Sequence, residues 1–186
     1  MELVTTLPRT GPHTGPLTRD ELDALPDDGR RHELIDGVLV VTPAPVPRHQ
    51  VVVGELHLLL RSACPGDLQV FLAPVDVVLG AADVLQPDLL VTRRRHVTRR
   101  DISGAPLLAV EVLSPSTRRL DLGLKRERYE AAGCPAYWAV DPDEPRLLAW
   151  ELREGRYEQV ADVGPEQEWT AATPYAVTVR PASLLR

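Results

Sequence analysis

Two acidic residues stand inside apolar runs, where an isolated charge is costly. Glu111 interrupts LLAVEVL at 107–113, and Asp88 follows Pro87 and precedes LLV within VLQPDLLVT at 84–92. A lone ionised carboxylate in a buried strand needs a charged or hydrogen-bonding partner. On neighbouring strands the two carboxylates would repel each other and both be poorly solvated. One divalent cation relieves both problems, because Mg²⁺ takes oxygen ligands and is commonly held by one or two carboxylates plus waters and substrate phosphates. Such an ion polarises a phosphoryl oxygen and assists attack by water. The competing reading has Asp88 capping a turn and Glu111 paired with an arginine in a core ion pair.

A second group follows Glu111. Asp121, Lys125 and Tyr129 are spaced four apart and fall on one helical stripe. Lys125 is the only lysine among 21 basic residues; the other 20 are arginines. Lysine offers a compact ammonium with a tunable pKa, which arginine does not. The bland alternative is a surface Asp121–Lys125 pair of ~0.3–0.5 kcal/mol, which would not require lysine over arginine.

Stepping outward, the pattern supplies elements to position these groups. TRDEL at 18–22 has a capping box, Thr18 with Glu21, opening a short helix. HELIDGVLVV at 32–41 reads as a hairpin about Asp36-Gly37. In 45–64, Val52, Val53, Leu56, Leu59 and Leu60 recur at helical spacing. Short strands are expected at 68–73 and 75–80, with 84–92 and 107–113 as strands bracketing an arginine-rich loop. Residues 117–132 read as a helix stopped by Gly133 and Pro135. Strands follow at 136–141 and 147–152, with one more short strand and a tail from about 156. Two long helices covering a central mixed sheet make an α/β sandwich. Residues 1–17, rich in Pro, Gly and Thr, are expected to be a flexible arm ahead of a single domain at 18–186.

Bulk properties narrow the class. With 186 residues, 44% hydrophobic and 26% charged, the chain can bury a core. No apolar stretch approaches a membrane span, and the N-terminus lacks the features of a signal peptide. Cys64 and Cys134 form no metal-binding pair, which points to a reduced cytoplasmic setting. A net charge of −6 argues against general electrostatic affinity for nucleic acid, so any such contact is local.

Taken together, HELIDG (32–37), PAPVPRHQ (43–50), PD (87–88), VEVLSPSTRRLD (110–121), Lys125, Tyr129 and AGCPAYWAVDP (132–142) resemble the Uma-two family of restriction endonucleases, within the PD-(D/E)xK nuclease superfamily. The resemblance runs in order through residues 18–160. It implies a restriction-endonuclease-like mixed β-sheet flanked by α-helices. It also implies Mg²⁺- or Mn²⁺-dependent hydrolysis of phosphodiester bonds, mostly in DNA, and a homodimer able to cut two strands. By position, Asp88 and Glu111 would bind metal, the Val112 backbone carbonyl would add a ligand, and Glu33 would stand near the ion. Leu113 occupies the superfamily's usual lysine position. Lys125 would deliver that charge from the following helix, orienting water or stabilising charge on the phosphoryl oxygens.

Other residues have two readings each. His49 matches a family histidine and reaches either phosphate or a neighbouring subunit. Arg118 and Arg119 fall near the proposed metal and suit phosphate. Tyr129 either touches substrate or orients Lys125, or is a packed tyrosine on a half-buried helix. Ser114, also a substrate-binding candidate, and Ser116 either hydrogen-bond within the loop after Glu111 or cap the turn and helix. His13, His32, His57 and His96 lack metal-ligand spacing. The segment TRRRHVTRR (92–100) is either a clamp for a nucleic-acid backbone or a solvated loop. The alternative function is a catalytically inactive nuclease fold used for binding or assembly. Glycoside hydrolysis by the carboxylate pair leaves Lys125 without a role, and only 4% of the chain is aromatic for stacking sugars.

Overall fold

Asp36 and Gly37 both take positive φ (53° and 72°), the geometry of a two-residue hairpin turn. Glycine at 37 has a second cause: a Cβ there would lie 2.1 Å from that of Pro16. The turn joins β1 (Arg31–Ile35) to β2 (Val38–Thr42), with Ile35 opposite Val38. The computed structural model describes residues 15–26 and 28–186. His13 and residues 1–14 of the expected arm lie outside them. The capping box forms as expected: the Thr18 N–H donates to Glu21 Oε2 at 2.8 Å, opening α1 (Arg19–Asp23).

Two main sheets build the molecule. The larger contains β3 (Leu68–Leu72), β6 (Leu89–Arg93), β8 (Leu108–Val112), β9 (Ala136–Asp141), β10 (Arg146–Arg153) and β11 (Arg156–Val163). Its order is β11-β10-β9-β8-β6-β3, antiparallel except for the β8–β9 pair. The second sheet, β2-β1-β5-β4-β7, adds β4 (Val77–Gly80), β5 (Asp83–Leu85) and β7 (Ile102–Ser103). The sequence pattern did not separate this second sheet from the first.

The parallel β8–β9 pair requires a crossover connection, and helices supply it. They are α3 (Arg118–Leu120), a π-helical turn at Asp121–Lys125, and α4 (Arg126–Ala131). Gly133, at φ 79°, ends the helix as expected. A π-turn inside a helix re-aims its side chains and is frequent at functional sites; here it carries Asp121 and Lys125.

The larger sheet is covered on both faces. On one, α2 (Pro47–Ser62) buries Val52, Val53, Leu56 and Leu60 against Leu89, Val91, Leu108, Val110 and Val112. Each such side chain contributes about 1.5–3 kcal/mol. On the other, Ala109, Leu113, Tyr137 and Ala139 pack with Ile35 and Val40 of the hairpin and Tyr129 of α4. Glu111 alternates onto this second face. Leu107, which precedes β8, packs instead with the α2 cluster.

Two further expectations are corrected. Residues 84–92 are not one strand: β5 ends at Leu85 and β6 begins at Leu89, in different sheets. Pro87 has no N–H for the ladder, so pairing breaks there. The C-terminal part is also richer than one short strand. It holds the eight-residue β11, the hairpin of β12 (Trp169–Ala171) and β13 (Val177–Val179), and a 3-10 turn at Pro181–Leu185. Trp138 and Trp169 meet edge-on at 5.5 Å between the sheet and that hairpin. No helix among the described residues is long and apolar enough to cross a membrane.

Candidate active site

Four elements converge beneath the hairpin. Period-two alternation puts Arg31, Glu33 and Ile35 on one side of β1, and Ile35 packs toward the larger sheet. The break at 86–88 brings in Asp88, β8 brings Glu111, and the π-turn brings Asp121 and Lys125.

Lys125 is the hub. Its Nζ lies 2.9 Å from Glu33 Oε1, 3.1 Å from Glu111 Oε1 and 3.7 Å from Asp121 Oδ1. All four side chains are at most 3% exposed. The Gln86 backbone N–H, released from a ladder by the break, donates to Glu33 Oε1 at 2.8 Å. Glu111 therefore does have a direct partner, and it is Lys125 rather than an arginine.

Asp88 is held by three donors. Arg31 Nη1 approaches Oδ1 at 3.1 Å, while His49 Nε2 and the Val112 N–H meet Oδ2 at 3.1 and 2.8 Å. Arg31 also links the two halves, with Nη2 3.8 Å from Glu33 Oε1. Val112 thus meets Asp88 through its N–H; the expected role concerned its carbonyl.

The electrostatics follow from this wiring. Burial pushes every carboxyl upward, and the neighbours decide the outcome. At Glu33, Lys125, Arg31 and the Gln86 N–H overcome burial and hold the pKa below the usual range. At Asp88, the His49 hydrogen bond and the Arg31 charge do the same. Burial prevails at Glu111, which faces Asp88 and Asp121 as well as Lys125, and its pKa rises well above normal. Asp121 is pushed up to about 6, chiefly by burial. Burial lowers the Lys125 ammonium pKa, but Glu111, Glu33 and Asp121 outweigh it, so it stays charged.

Two features suit a divalent cation. Four buried carboxyl groups (Glu33, Asp88, Glu111, Asp121) share two permanent cations (Arg31, Lys125), and the raised pKa of Glu111 and Asp121 marks acids short of positive charge. Glu33 Oε2, His49 Nδ1, Tyr129 OH, and Arg31 Nε and Nη2 are all buried without a hydrogen-bond partner, the signature of a site completed by something further. Among the described residues no three His, Cys, Asp or Glu side chains converge as a ready-made metal cage. Lys125 and Arg31 stand between the acids.

The remaining candidates are scattered around this centre. Tyr129 is fully buried, its ring 5.6 Å from Tyr137. Ser114 bonds Thr117 Oγ1 at 2.9 Å and Ser116 Oγ at 3.1 Å within its own loop. Arg118 pairs with Asp141 at the end of β9, and Arg119 is exposed. The segment 92–100 leaves β6 at the end opposite Asp88. There Arg94 Nε bonds the Gly66 carbonyl at 2.8 Å and Arg100 pairs with Asp23 at 3.1 Å. Sequence reasoning missed Arg31, although its place two residues before Glu33 on a strand was the available signal. It also missed the Gln86 N–H, which has no side-chain signature.

Comparison with known proteins agrees with this picture. The Uma2 family, described as "Putative restriction endonuclease", matches residues 19–180. A solved structure described as "a putative nuclease belonging to DUF820", from Anabaena variabilis ATCC 29413, superposes with a TM-score of 0.75 at 21% identity. The alignment covers 91% of this chain and 98% of that one, and shows the shared α/β fold. None of the curated proteins matches the chain. The match across residues 19–180, on a mixed sheet that gathers the motif residues at one point, places the chain in the Uma2 family of restriction-endonuclease-like proteins.

Proposed function

We propose that the protein is a divalent-metal-dependent endonuclease hydrolysing phosphodiester bonds in DNA. The observation that carries this reading is the buried centre in which four carboxyl groups share two permanent cations and polar atoms of its own residues lack a partner. Asp88, Glu111 and the Val112 carbonyl would hold Mg²⁺ or Mn²⁺, with Glu33 beside it. Such an ion polarises a phosphoryl oxygen and makes water a better nucleophile. Lys125 holds Glu33 and Glu111 in place and presents a fixed positive charge where negative charge develops on the phosphoryl group. A charged lysine suits that electrostatic role better than proton abstraction. Around the centre, Arg48 follows Pro47 at the start of α2, beside His49, and binds the Pro142 carbonyl at 2.9 Å. Arg118 pairs with the neighbouring Asp141, so both arginines border the end of β9, and exposed cations there suit a phosphate backbone in an otherwise acidic protein.

Calorimetry with millimolar Mg²⁺ or Mn²⁺, and cleavage assays on single- and double-stranded DNA and RNA, test the reading. Binding that Asp88→Ala and Glu111→Ala both abolish, together with cleavage, is the expected result. Absence of metal binding by the wild type removes the site assignment.

A second reading, a nuclease fold serving for binding or assembly, is favoured by one observation. Lys125 already neutralises Glu33 and Glu111 at close range in full burial. Metal binding without cleavage of any nucleic acid would select it. Homodimerisation, which cutting two strands calls for, is read by sedimentation equilibrium. Cys64 and Cys134 are free thiols, in keeping with a reducing cytoplasmic setting.

A further inference from the structure

Arg31 differs from the other cations of the centre. Lys125 is sealed in, its side chain 3% exposed, whereas the Arg31 side chain is 24% exposed and lies beside Asp88 at the edge of the cluster. Its hydrogen bonding is incomplete: Nη1 reaches Asp88, but Nε and Nη2 have no acceptor. Buried donors left open carry a desolvation cost, so a guanidinium held this way is poised for a further acceptor. The ion pairs around it do not supply one, since Glu33 stands 3.8 Å away. The guanidinium fork matches two oxygens of one anionic group, and a phosphodiester offers two non-bridging oxygens. The other arginines near the centre are already engaged, Arg118 with Asp141 and Arg48 with the Pro142 carbonyl, or stand fully on the surface as Arg119 does.

We propose that Arg31 is a substrate-contacting residue, binding the non-bridging oxygens of a strand phosphate at the entrance to the acidic centre while its Nη1 keeps hold of Asp88. The inference rests on the endonuclease reading and adds a residue that the motif pattern does not include. It predicts a contact that is electrostatic and independent of sequence.

The test uses the full chain and a short DNA duplex, with Ca²⁺ in place of Mg²⁺ so that binding is read apart from cleavage. Affinity is followed by fluorescence anisotropy across a salt series. Arg31→Met is expected to weaken binding roughly tenfold or more, and to lower the slope of log affinity against log salt by about one, the value for one lost phosphate contact. Arg31→Lys is expected to recover the slope but only part of the affinity, because a point charge replaces a fork. A merely structural arginine would not move the slope in a folded variant. An Arg31→Met protein with unchanged slope and affinity overturns the inference, and wild-type cleavage then leaves the endonuclease reading intact. Should Arg31→Met fail to fold, Arg31→Gln is measured in its place; an unchanged slope again overturns the proposal. A wild type that neither binds nor cleaves the duplex removes both.

Discussion

A tight surface ion pair and the ion pairs of the buried centre lie in opposite surroundings. Arg146 grips Asp162 through two bonds of 2.6 Å, yet the side chains are 49% and 42% exposed. Lys125 meets Glu33 and Glu111 at 2.9 and 3.1 Å, almost fully buried. By distance the surface pair is the better one. By energy it is minor, because water competes for both charges and salt screens what remains. In the buried centre nothing else can solvate the charges, so each partner becomes indispensable to the others. Environment, rather than distance, ranks these interactions.

The largest expected effect tests that indispensability. Lys125→Met should cost about 3–5 kcal/mol of folding stability, since it strands Glu33, Glu111 and Asp121 without their shared cation. Urea denaturation measures it, and a loss below about 1 kcal/mol would mean that the acids solvate themselves by another route. Cleavage should vanish in the same variant.

Next comes pH. The folded-state carboxyl of Asp121, at about 6, lies above its ordinary 3.8, so the folded protein binds that proton more tightly than the unfolded chain does. Asp121 therefore favours folding below about pH 4 and loses that contribution as pH rises through 6. Relative to Asp121→Asn, wild-type stability should fall by up to about 3 kcal/mol between those limits. A wild-type-minus-variant difference that stays flat from pH 4 to 7 would contradict the raised pKa.

Tyr129→Phe should act in the unusual direction. The hydroxyl is buried without a partner, so removing it should stabilise the fold by about 1 kcal/mol. A clear loss of stability would reveal a partner such as a buried water, and a loss of cleavage with stability kept would give the hydroxyl a role toward substrate. Smallest of all, Arg146→Ala should leave the melting temperature unchanged within error. A measurable drop there would erase the contrast between the two regions.

The legible parts of the molecule were those with a local cause. The Asp36-Gly37 turn, the helix at 47–62 and its apolar face, and the Gly133 stop each depend on residues close in the chain. Asp88 and Glu111 were also legible, because charges inside apolar runs are conspicuous; Asp121 came from its helical spacing to Lys125, and Glu33 only from the family resemblance. What escaped was non-local. The division of 84–92 between two sheets depends on which strands wait on either side of Pro87, and no periodicity reports that. The C-terminal strands were underestimated because β11 is largely exposed and lacks a sharp apolar alternation.

Residue chemistry alone determined which groups had to be partnered: Glu111 and Asp88 in apolar strands, and one lysine in a chain of arginines. The tertiary structure decided the pairing. A parallel β8–β9 crossover with a π-turn swings Lys125 onto Glu111, fourteen positions away in sequence, and the hairpin lays Glu33 and Arg31 over them. Charge and burial are properties of single residues and short windows. Proximity across a sheet depends on strand order and register, which only the packed fold establishes.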